Sequence, residues 1–81
     1  MITIKTMTIE LKTVDKVRSF AAAIGEIDGE FDLVLGRYVV DAKSVMGIFS
    51  LDISKPLELR ILDDKLYDET LLKLGEFAAA E

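Results

Sequence analysis

Few side chains in this sequence could do chemistry, and they are of narrow type. Ser44 stands at the head of the run Val45-Met46-Gly47-Ile48-Phe49-Ser50-Leu51, directly after the strand-like Tyr38-Val39-Val40. A serine so placed can accept from backbone N–H groups one turn further on, which lack partners at a helix start. The apolar run behind it is too continuous for one narrow buried stripe, so part of it should stay exposed, as a surface for a partner does. Val45, Met46 and Phe49 can each fill core or form that docking surface. Core is the default for most of them, while Met46, with its flexible thioether, is assigned to the outside.

What is missing narrows the chemistry further. The 81 residues include no cysteine and no histidine. That removes disulfides, thiolate chemistry, the usual zinc ligand sets and any Ser-His or Cys-His catalytic pair, and it suits a reducing cytoplasm. The acidic residues Asp63, Asp64, Asp68 and Glu69 match no cation-binding loop in their spacing and read as a solvated turn, so no metal and no other cofactor is expected. Lys5, Lys12, Lys16 and Arg18 are scattered cations. A net charge of −5 disfavours direct binding to nucleic acid, whose affinity comes largely from cations neutralising phosphates. The chain is not expected to be an enzyme.

A length of 81 residues predicts a single domain over residues 1–81, burying roughly 60% of the surface its unfolded chain exposes. The opening MITIKTMTIEL carries charges and no uninterrupted apolar core, so neither a signal peptide nor a membrane span is expected there. Ile2 and Ile4 alternate with polar residues, while Met7, Ile9 and Leu11 continue in the opposite phase. This predicts a first strand with a bulge or early end near Thr6.

Thr13 followed by Asp15 reads as a cap with an acidic first turn, opening a helix with Val14, Val17, Phe20, Ala21 and Ile24 at helical spacing. Gly25 is expected to stop it in a left-handed conformation, and Asp28-Gly29 to turn into the next strand. Phe31, Leu33 and Leu35, then Gly36-Arg37, then Tyr38-Val39-Val40 predict a hairpin. Pro56 should lie at the edge or start of a strand whose Leu57, Leu59 and Ile61 face one way. After a turn at Asp63-Asp64-Lys65, a last helix is expected from about Asp68, capped by that residue. Leu71, Leu72, Leu74 and Phe77 should pack, and Ala78 to Ala80 should fray. The order strand, helix, strand, strand, short helix, strand, helix calls for an α+β open-faced sandwich, a four-stranded antiparallel sheet with helices on one face.

The run Ala42-Lys43-Ser44-Val45-Met46-Gly47-Ile48-Phe49-Ser50-Leu51, followed by Ile53 and Lys55, resembles the regulatory-serine helix of HPr, the small phosphocarrier of the bacterial sugar phosphotransferase system (PTS). Strand and helix patterns on either side fall in step with that family, so the resemblance covers most of the chain and is weakest in its N-terminal third. The same element order arises, with different strand connections, in ferredoxin-like regulatory domains.

HPr carries a phosphoryl group on a histidine at the start of its first helix, where backbone N–H groups and a nearby arginine hold it. In ungapped register, Thr13 falls at the histidine position, Asp15 where the family has arginine, and Lys16 where it has proline. A phosphothreonine ester lacks the transfer potential of a phosphohistidine, and the Asp15 carboxylate stands where a cation is needed. The resemblance thus implies a member unable to relay phosphate. Thr13 keeps the role of an ordinary cap, with Lys12 and Lys16 expected to offset Asp15 weakly at the surface.

In HPr-like proteins of Gram-positive bacteria the serine at the Ser44 position is phosphorylated by an ATP-dependent kinase, and the modified protein binds a transcription regulator. The resemblance therefore implies regulatory phosphorylation at Ser44, HPr kinase and such a regulator as protein partners, and a part in catabolite repression and sugar transport regulation. A phosphate there adds roughly −1.5 to −2 charge, which Lys43 could contact. The chain is expected to be a cytoplasmic, non-catalytic monomer or weak dimer, bound by partners through Lys43, Val45, Met46 and Phe49. Two alternatives stand beside this: a ferredoxin-like module binding a small ligand at a dimer interface, and a degenerate HPr fold kept as a structural interaction domain.

Overall fold

A computed structural model describes residues 4–79, so Ile2 lies outside the described residues. The first strand, β1, spans Lys5–Ile9 and pairs with the later strand without a bulge. Of the two phases in the sequence it keeps the one with Met7 and Ile9 facing the core, and it ends before the buried Leu11. Lys12 then takes a φ of 65°, a left-handed turn uncommon outside glycine, and Thr13 caps helix α1, Val14–Gly25. Val17, Phe20 and Ile24 are the buried residues of α1. Gly25 does not supply the expected left-handed stop. The helix closes through Glu26 at φ −79°, whose N–H donates to Ala23 O, while the N–H of the fully buried Ile27 donates to Ile24 O as the chain turns into the core.

Strands β2, Phe31–Leu35, and β3, Tyr38–Asp41, form the hairpin. Leu35 faces Tyr38 across Gly36-Arg37, and Gly36 has φ +61°. A positive φ at the first central residue suits a turn whose twist matches the flanking strands. Helix α2, Val45–Phe49, follows. Pro56 immediately precedes β4, Leu57–Ile61, so its missing N–H removes no bond from the ladder. The sheet order is β1-β4-β2-β3, antiparallel throughout, with β4 between the two strands that α1 joins. Leu57, Leu59 and Ile61 share one buried cluster with Leu33, Phe20, Ile48, Leu74 and Phe77. The helices therefore cover one face, and the fold is the α+β sandwich expected.

The C-terminal third departs from expectation in three places. Asp63, not Asp68, does the capping: it accepts from Lys65 N and opens a 3₁₀ turn, Asp64–Leu66, that runs into α3, Tyr67–Leu74. On α3, Thr70 and Leu74 are buried, Leu71 is half-buried and Leu72 is 86% exposed. The Thr70 hydroxyl meets burial by donating to Leu66 O at 2.7 Å. Finally, Ala78 and Ala79 do not fray: Ala78 bridges Ile9, and Ala79 N donates to Thr8 O at 2.9 Å. Ala80 lies outside the described residues.

Candidate functional site

The turn leaving β3 is built by its own polar groups. Asp41 Oδ1 accepts from Lys43 N at 2.9 Å and Asp41 O from Ser44 N at 3.0 Å, while Ala42 is buried beneath them. This places Ser44 in an extended conformation, and its Oγ accepts from Gly47 N at 3.1 Å as the cap of α2. The residue is half-buried. Gly47 lets the helix lie close to the sheet, since a Cβ there would stand 3.2 Å from Val40 Cβ. Ser50 ends it, its hydroxyl donating to Gly47 O at 2.5 Å.

With five residues, α2 makes about one and a half turns, and only Ile48 is buried among them. Met46 is 82% exposed, as expected of it. Val45 and Phe49, for which core was the default, are 40% and 42% exposed. A helix this short presents one position inward, and Ile48 occupies it. The three residues therefore form one exposed apolar face beside the Ser44 hydroxyl.

Lys43 is committed elsewhere. Its Nζ donates to Ile27 O at 2.6 Å, just beyond the end of α1, and lies 5.7 Å from the centre of the Phe31 ring. The expected contact from Lys43 to a group on Ser44 is therefore not preformed. At the other candidate position, Thr13 Oγ1 accepts from Lys16 N at 3.1 Å, and Thr13, Asp15 and Lys16 are all exposed. Lys12 and Lys16 do not turn to Asp15: Lys12 pairs with Glu10 at 3.0 Å, and Lys16 Nζ lies 5.8 Å from the centre of the Phe77 ring. The left-handed Lys12 backbone directs its side chain back along the chain it has just left.

Reading residue types missed the groove between the hairpin tip and the α2–β4 loop. It holds about 620 Å³ and is lined by Leu35, Arg37, Tyr38, Ser50, Asp52 and Lys55, among others. Asp52 Oδ1 accepts from Ser54 Oγ at 2.5 Å and Ser54 N at 3.1 Å, and these bonds, with Lys55 nearby, hold its carboxyl below the usual aspartate range. The D-x-S spacing of a local side-chain turn was the available signal. Among the described residues no group of three or more Asp or Glu side chains is arranged to hold a metal ion, and no helix is long and apolar enough to cross a membrane. Comparison of the chain with protein-family models, curated proteins and solved structures found no match.

Proposed function

We propose that this chain is a non-catalytic, HPr-like regulatory protein of the cytoplasm, switched by phosphorylation at Ser44 and read by a protein partner on α2. One observation carries the reading: a surface serine caps a helix that leaves Val45, Met46 and Phe49 exposed beside it. A phosphate on that hydroxyl puts new charge at the border of an apolar patch, which changes the partners that can dock without rebuilding the core. Lys43 stays on Ile27 O in the unmodified protein, so the partner supplies the cation that meets the phosphate.

The strand connections support HPr-like over ferredoxin-like: β4 lies between β1 and β2, with β3 left at an edge. With no histidine in the chain, Thr13 acts as the α1 cap and takes no part in phosphoryl relay. The test is incubation with HPr kinase and ATP, followed by mass spectrometry of the intact chain and its peptides. One added phosphate on Ser44, absent from Ser44→Ala, is expected. An unmodified chain, or a phosphate elsewhere, refutes the switch. Incubation with enzyme I and phosphoenolpyruvate should leave no acid-labile phosphate.

A further inference from the structure

The two edges of the sheet are treated differently. On β1 the outer edge is covered, with Ile9 bridging Ala78, Glu10 N donating to Phe77 O at 2.8 Å and Ala79 N to Thr8 O at 2.9 Å. Among the described residues β3 pairs with β2 alone. Open edges are commonly blunted by lysine, proline or a bulge, and β3 reads Tyr-Val-Val-Asp with none of these, its Tyr38 and Val39 66% and 53% exposed.

We propose that this edge pairs with a second copy of the chain, β3 antiparallel to β3 about a two-fold axis through Val39. The hairpin fixes which backbone groups are free. Leu35 and Tyr38, flanking a two-residue turn, exchange both of their bonds, and Ala42 N donates to Phe31 O at 3.0 Å. Tyr38 and Val40 therefore bond inward to β2, and the N–H and C=O of Val39 point outward. A two-fold axis perpendicular to the sheet keeps the helices of both copies on one side, so opposed residues must face the same way.

Centres on the two interior residues, Val39 and Val40, satisfy that rule with the longest overlap of β3, and charge separates them. Centring on Val39 sets Val39 against itself, Tyr38 against Val40, and Arg37 against Asp41 of the second copy, twice by symmetry. Centring on Val40 sets Val39 against Asp41 and leaves Arg37 opposite the turn beyond β3, where the Lys43 ammonium is held on Ile27 O. The first register brings an aromatic against a β-branched side chain and opposite charges across the strands; the second sets a carboxylate against an apolar side chain and forms no ion pair. So short an edge makes a weak dimer, populated at high concentration. This inference goes beyond the proposed function and does not rest on Ser44.

Because the chain has no cysteine, one introduced thiol per chain reads the register. Opposed Val39 residues form a bonded pair with Cα atoms about 5.5 Å apart, inside disulfide range, whereas the two Tyr38 residues are offset along the strands and out of it. Under mild oxidation at millimolar concentration, Val39→Cys should cross-link at least tenfold faster than Tyr38→Cys. In the Val39→Cys background, Arg37→Glu should slow cross-linking at least fivefold and Arg37→Lys should leave it unchanged. Equal rates for the two thiols, indifference to Arg37→Glu, or a wild-type chain that sediments as a monomer throughout the concentration range overturns the proposal.

Discussion

Ser44 and Thr13 make the same bond, each hydroxyl oxygen accepting from the N–H three residues on at 3.1 Å, yet they sit in different surroundings. Thr13 opens a helix of twelve residues that buries Val17, Phe20 and Ile24; Ser44 opens one of five that buries only Ile48. α2 thus depends on its cap more than α1 does. Replacing Ser44 by alanine should lower stability by about 1 kcal/mol, at the usual cost of a lost cap, while Ser44→Asp, an equally good acceptor, should retain most of it. Urea midpoints of the two variants check this. A Ser44→Ala variant as stable as the wild type would mean that the hydroxyl contributes nothing as a cap.

At the scale of elements, β1 shows how neighbours decide what local pattern leaves open. It is held between β4 on one side and the Phe77–Ala79 segment on the other, and that segment is anchored by Phe77, whose ring meets Phe20 edge-on with centres 5.5 Å apart. Phe77→Ala should cost about 3 to 5 kcal/mol. Native-state hydrogen exchange should show the Glu10 and Ala79 amides opening before those of β4; simultaneous exchange would contradict a separate anchor.

The alternation of Leu57, Leu59 and Ile61 made β4 legible, because a strand buried on one face repeats every two residues. Gly36-Arg37 made the hairpin legible through its turn chemistry, and Thr13 and Ser44 were legible as caps. The end of the chain was not. Leu71 and Leu72 are adjacent and both apolar, so periodicity leaves both as candidates for packing, and it is the packed helix that turns Leu72 outward. Nor does any local pattern announce that Ala78 and Ala79 follow Phe77 close enough to β1 to bond it. Val45 and Phe49 were left with two readings, core or docking surface, for a related reason: apolar type reports what a residue could bury, and the length of α2 decides how many can.

Over the whole molecule, charge is set by residue types that titrate far from neutrality. The side chains able to ionise are Asp, Glu, Tyr, Lys and Arg, whose ordinary pKa values lie below about 5 or above about 9.5. Asp52 gives the sign of what happens in acid. Its pKa is lowered by the Ser54 hydroxyl and backbone N–H, so the unfolded chain takes up that proton more readily than the folded one. The contribution is complete above the unfolded value, near about 3.9, and is lost as pH falls through the lower folded value. The Asp52 share of the urea midpoint, read as the difference between the wild-type chain and a non-titrating variant, should be present at pH 7 and lost toward about pH 2.5. Asp52→Asn, which cannot titrate, should begin less stable at neutral pH and drop less steeply.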